Sequence, residues 1–218
     1  MRRFASRNPI VVQSRCCGRG FLDKQKKVDR RSSRASLLSH RLGLTLAAQH
    51  GFSIEVFHVS TAFLQGLHFC DVIQHCNALG LQEPSTREVC LKPAGNVWRH
   101  FRACNFSKGA QVWDDEKRLL ILRLLEAIYG LADGLLLFQL AFISYLVRYL
   151  QFVRSLHDEN LLYFTSKESE YDYGELCCVV IVHDDDLLVI AHEHCIRGVQ
   201  SIVEQKFGKL KKNVFQFA

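Results

Sequence analysis

The 218-residue sequence predicts an α+β fold, with a short antiparallel sheet backed by helices. Three stretches carry that prediction. Leu176 to Val182 and Leu187 to Ala191 are apolar, β-rich runs on either side of His183, Asp184, Asp185 and Asp186. Two buried strands joined by a tight polar turn make a hairpin. Gly134 to Leu150 is apolar nearly all round, as a helix buried beneath a sheet is. Ile196, Val199, Ile202, Val203 and Phe207 recur at helical spacing, so a further helix covers the sheet's other half or face.

Composition bounds the function classes. The length suits one domain, or one and a fraction. Hydrophobic residues at 48% can fill a core, and 3 prolines with 23% charged residues exclude a disordered chain. The net charge of +6 is uneven: residues 1–35 hold 11 Lys and Arg against Asp23 and Asp29. A basic segment beside an acidic site suits a partner rich in phosphate, although a solvated basic tail has the same charge.

The 9 cysteines show no CxxC, and Cys16–Cys17 and Cys177–Cys178 are adjacent pairs, which points to free thiols in a reducing compartment. Cys70, His75 and Cys76 are one candidate metal group, and His192, His194 and Cys195 another. No spacing supplies either with a fourth ligand. The longest apolar run, Leu135 to Val147, is broken by Gln139 and Ser144 and is shorter than the ~20 residues of a membrane span. A cytoplasmic or nuclear protein without a membrane partner is expected, although Met1 to Phe21 has the Arg-rich, acid-poor character of a transit peptide.

In chain order, residues 1–35 read as an irregular basic arm and 36–218 as the folded domain. Ser36 is placed to cap a helix running to about His50, with Leu37, Leu38, Leu42, Leu46 and Ala47 inward and Gly51 as the stop. Ser53 to Val59 is a strand. Residues 67–118 are hard to read beyond turns at Glu83–Thr86 and Lys92–Asn96. Trp98, His100, Phe101 and Arg102 suit either a nucleic-acid strand or a core. Leu119 to Leu125 is a strand or a buried helix.

Three carboxylates at the hairpin tip repel one another and are costly to desolvate. A hard divalent cation such as Mg²⁺ offsets both costs, and a solvated acidic turn is the plain alternative.

Four motifs in order carry a resemblance to a known family. His58 to Gly66 reads HVSTAFLQG and resembles the DVKTAFLNG-type motif of copia-type retrotransposon reverse transcriptases. Ala127 to Asp133 resembles their SLYGLKQ motif. Phe152 to Phe164 is similar to their GF..S..D..LF segment, with Asp158 at the Asp. Val182 to Leu187 resembles their YVDD-type motif, with Asp185 and Asp186 in register. Lys206 to Leu210 resembles the helix end that follows the hairpin. The likeness covers about Arg15 to Lys212.

The resemblance implies a right-hand polymerase palm with a partial fingers region, for which residues 1–35 are a remnant. It implies RNA-directed DNA synthesis within a Pol polyprotein, with two Mg²⁺ ions, an RNA or DNA template-primer and dNTP as partners. Asp185 and Asp186 would be metal ligands, and the third catalytic carboxylate falls on His58. Imidazole is uncharged and softer than a carboxylate, so this copy is expected to be inactive. Asp184 stands where the family is usually apolar and adds a like charge beside the pair. Thr61 and Ala62 would offer backbone N–H groups to the triphosphate. Phe63 would wall off the sugar 2′ carbon, or simply pack in the core. Gly134-Leu135-Leu136 lacks the family's polar group after the second motif.

Arg15, Arg19, Lys24, Lys26 and Lys27 would hold nucleic acid through phosphate neutralisation. The chain reads as a truncated copy that stops near the start of a thumb. A non-catalytic nucleic-acid-binding remnant and a metal-dependent phosphohydrolase are the alternatives from other classes.

Overall fold

A computed structural model of the protein describes residues 17–18, 34–80, 87–92, 112–114, 120–166 and 174–213. Along the chain run α1 (Leu37–His50), β1 (Ser53–Val59), α2 (Val72–Leu79), β2 (Val89–Leu91), β3 (Val112–Asp114), β4 (Leu120–Leu124), α3 (Gly134–Tyr149), β5 (Val153–Arg154), β6 (Leu161–Thr165), β7 (Leu176–His183), β8 (Asp186–Ala191), α4 (Glu193–Phe207) and β9 (Leu210–Asn213). Six strands form an antiparallel sheet in the order β5-β6-β7-β8-β1-β9. A smaller sheet has the order β2-β4-β3, so the stretch that could have been strand or helix is the strand β4.

The hairpin strands are apolar without alternation because both faces of the large sheet are covered. Val180, Val182, Leu187 and Val189 face one core, with Phe138, Phe142 and Leu146 of α3 and Ile196, Val203 and Phe207 of α4. Val179, Ile181, Leu188 and Ile190 face the opposite core, with Phe52 and with Ala47 of α1. Helices α3 and α4 therefore share a face and α1 takes the other. A third cluster joins Val72 and Cys76 of α2 to Leu137 and Leu140 of α3. Helix α3 is thus packed on two sides, which accounts for its all-round apolar surface.

The inward face of α1 agrees with the expected one at Leu46 and Ala47 and differs from it nearer the helix start. Leu37 and Leu38 are 68% and 74% exposed, and Leu42 is exposed too, while Ser39, Gly43 and Ala47 are buried. The reason is distance. A Cβ at Gly43 would lie 2.7 Å from Ile190 Cδ1, so the helix approaches the sheet more closely than leucines at this contact would permit. Small residues at i, i+4 and i+8 line that stripe.

The start of α1 is anchored across the fold. The Ser36 side chain accepts from the Ser39 N–H as a cap. Asp158 then accepts from the Ser36 N–H at 2.8 Å, from the Ser39 hydroxyl, and from the Asn160 N–H at 2.9 Å. Burial pushes the Asp158 carboxyl up, but the bonds from Ser39, Ser36 and Asn160 outweigh it and hold the group below its ordinary range. The native state therefore binds this proton less readily than the unfolded chain. Its stabilisation is complete above the unfolded value and drains away as pH falls through the folded one. Asp158→Ala is expected to cost about 1.5–3 kcal/mol at neutral pH, the range for bonds to a charged group. Urea unfolding at neutral pH and well below the carboxylate range checks this: the difference between the two proteins should shrink in acid.

Near the described start of the chain, Gly18 N–H donates to Tyr129 O at 2.6 Å, and Cys17 bridges Tyr129 in parallel. Gly130 has φ +93°, and a Cβ there would overlap Gly18 O, so this close approach requires glycine. Cys17, Cys70, Cys90, Cys177, Cys178 and Cys195 are free thiols. Burial pushes the Cys178 thiol up to about 12, which leaves it an inert core residue.

Candidate metal centre

Strand pairing builds the site. β1 runs antiparallel to β8 with His58 opposite Asp186, and β7 pairs β8 with His183 opposite Asp186. Only Asp184 and Asp185 remain in the turn. The Val59 N–H donates to Asp185 O at 2.9 Å and fastens that turn to the end of β1. Residues 128 apart in sequence thereby become neighbours.

His58 Nδ1 lies 3.1 Å from Asp186 Oδ1 and 3.7 Å from Asp185 Oδ2. One ligand atom from each of the three residues falls within 4.8 Å of the other two. Their side chains are 33%, 32% and 45% exposed for His58, Asp185 and Asp186, so the group opens to solvent while its backbone is held in the sheet. Two carboxylates and one imidazole fit a divalent cation by donor type.

Asp184 behaves otherwise than expected. Its Oδ2 lies 3.3 Å from Arg34 Nε, so its charge is answered from the segment before α1 instead of crowding the pair. It adopts φ +55°, the left-handed region that Asp enters at less cost than β-branched residues do. On the far side of the hairpin, the His40 and His183 rings meet edge to face at 5.7 Å.

The residues matched to nucleotide binding follow β1 directly. Thr61 is exposed with φ +58°, and its hydroxyl donates to Ser60 O. Ala62 is buried and opens a single 3₁₀ turn to Leu64. Phe63 is half-buried against Tyr129, ring to ring at 5.5 Å, with Gly134 beneath it. Gln65 Nε2 donates to Ser60 O at 2.9 Å and to Phe207 O at 3.0 Å, which ties this loop to the end of α4.

Sequence reasoning missed what lies beside that loop. β9 pairs β1 and sets Lys211 opposite His58. Ser60 and Thr61 on one side and Phe207 to Lys211 on the other enclose a groove of about 530 Å³. The signal was slight: Gly208 ends a helix, and Leu210-Lys211-Lys212-Asn213 has the polar character of an edge strand. Arg15, Arg19, Lys24, Lys26 and Lys27 lie outside the described residues, as do Trp98, His100, Phe101 and Arg102.

The thiol groups regroup as well. Cys76 is buried between α2 and α3, and Cys70 converges with His68 and Asp71 instead of with His75 and Cys76. Because Cys70 precedes α2 while His75 and Cys76 ride on it, helix geometry parts them. Cys195 Sγ lies 3.2 Å from His194 Nε2, and His192 stacks on His194 at 5.9 Å.

No family model matches the chain, and no curated protein does. Among solved structures, a telomerase from Candida albicans in complex with a TWJ fragment of telomeric RNA is similar at a TM-score of 0.40 and 11% identity. The likeness covers 90% of this chain and 32% of that one, so the chain spans about a third of the telomerase chain's length. Similarity at that level shows neither family nor function.

Proposed function

We propose that the chain is the palm of a copia-type reverse transcriptase, an RNA-directed DNA polymerase domain, with a metal centre weakened at its first position. One observation carries the reading: His58, Asp185 and Asp186 meet at the end of paired strands, where the motif likeness requires them. When bound, paired Mg²⁺ would activate the primer 3′-hydroxyl and stabilise the leaving group. Asp185 and Asp186 would hold the ions. His58 can hold one only as a neutral ligand and leaves the positive charge of two adjacent ions less well balanced. Thr61 and Ala62 would present backbone N–H groups to a triphosphate, and Phe63 would lie against its sugar. Template-primer would be drawn by the basic segment of residues 1–35, which carries 11 Lys and Arg.

The test is a primer annealed to RNA template, incubated with the four dNTPs and Mg²⁺ and resolved by length. The unaltered chain is expected to leave the primer at its starting length. Efficient lengthening would overturn the claim of a weakened centre. Shortening of the strand without dNTP would favour a phosphohydrolase over a polymerase.

A further inference from the structure

A second group of metal-ligating side chains lies outside the hairpin site. His68, Cys70 and Asp71 sit in the loop between the 3₁₀ turn and α2, and one ligand atom of each lies within 4.8 Å of the others. The loop is fastened at two points. The Leu67 N–H donates to Leu137 O at 3.2 Å, and the Phe69 N–H donates to Leu125 O at 2.9 Å. The second of these bonds brings the residue after Leu125 alongside. His68 Nε2 lies 2.7 Å from Glu126 Oε1.

We propose that His68, Cys70 and Asp71, with Glu126 beside them, form a binding site for a borderline-soft divalent cation of the Zn²⁺ class. A nitrogen, a sulfur and carboxylate oxygens are the donor set of zinc, and a thiol has no place in a Mg²⁺ site. Glu126 supplies what the local spacing lacks. If His68 binds through Nδ1, Glu126 receives the other ring N–H and fixes the imidazole. Three protein ligands with an open position, as in catalytic zinc sites, suit a group that is largely exposed.

The Cys70 thiol donates to Asp71 Oδ1 at 3.3 Å, so these two donor groups already lie side by side. On binding, the S–H bond breaks, a metal–sulfur bond forms and the proton leaves to solvent. The carboxylates of Asp71 and Glu126 with the new thiolate outweigh the unfavourable end of the α2 dipole. The inference is independent of the polymerase reading, because none of these residues belongs to the hairpin centre.

Co²⁺ is the probe, added to the full chain kept reduced without oxygen. A thiolate-to-cobalt charge-transfer band is expected to saturate at one equivalent, and Zn²⁺ should displace it. Cys70→Ser should remove the band, whereas His58, Asp185 and Asp186 offer no sulfur that could produce one. Asp71→Asn keeps the thiol, so the band should survive but need at least about tenfold more Co²⁺. Glu126→Gln should weaken Zn²⁺ about 10–100-fold, the usual effect of losing a supporting carboxylate. Absence of the band in the unaltered chain overturns the proposal. So does its persistence in Cys70→Ser, which would move the site to Cys177, Cys195 or another thiol, or an unchanged midpoint in Asp71→Asn.

Discussion

Asp133→Ala is expected to destabilise the protein by about 3–5 kcal/mol, the cost of stranding one member of a buried ion pair. Asp133 precedes α3 and meets Arg87, which precedes β2. Arg87 Nε lies 2.7 Å from Asp133 Oδ2, and Arg87 Nη2 bonds the other carboxylate oxygen. The side chains are only 2% and 7% exposed, so water cannot take over either charge. Arg87 also lies 5.8 Å from the centre of the Phe69 ring. The pair thus joins the loop after β1, the smaller sheet and α3. Removing the carboxylate takes the bidentate acceptor from a guanidinium that sits in a dry site.

Urea unfolding checks this prediction through a large fall in midpoint with an unchanged slope. A companion variant separates charge from packing. Arg87→Met with Asp133→Leu removes both charges, and such exchanges are often neutral or stabilising. It should therefore recover most of what Asp133→Ala loses. A single variant within about 1 kcal/mol of the parent would mean that the pair is solvated in solution.

Much of the fold was legible because two physical signals were strong. β7 and β8 are unbroken β-branched runs, and such runs arise where a sheet is covered on both faces. α3 is apolar all round because it has two neighbours. Ser36 and Gly51 bounded α1 by capping chemistry alone. The face of α1 was legible at Leu46 and Ala47 but misread earlier in the helix, because hydrophobicity marked Leu37, Leu38 and Leu42, while the contact selects for smallness at Ser39 and Gly43. β9 was missed because an edge strand with two lysines lacks the alternation that announces a strand.

The candidate centre was legible for a different reason. Acids in a turn between apolar runs stand out locally, and the motif likeness supplied His58. Its surroundings were not legible. Arg34 answers Asp184 from 150 positions away, and no local pattern records that bond. Asp158, matched only as part of a motif, proves to tie the start of α1 to the loop before β6. Arg87 drew no notice in the sequence, since a lone arginine in a turn region reads as solvated until its partner is known.

On the proposed reading, His58, Asp185 and Asp186 form a polymerase metal centre lacking one charge. The most direct measurement is Mg²⁺-dependent, RNA-templated primer extension by His58→Asp. The change places a carboxylate at the end of β1, opposite Asp186 and beside Asp185. A restored charged ligand should contribute about 3 kcal/mol to the transition state, so extension should rise roughly 100-fold or more above the unaltered chain. Asp184 is left in place, because Val at φ +55° would strain the turn and Arg34 already answers the charge. Adding Asp185→Asn to His58→Asp should return extension to the level of the unaltered chain. Extension by His58→Asp that stays at the parent's level, or that survives Asp185→Asn, would contradict the claim.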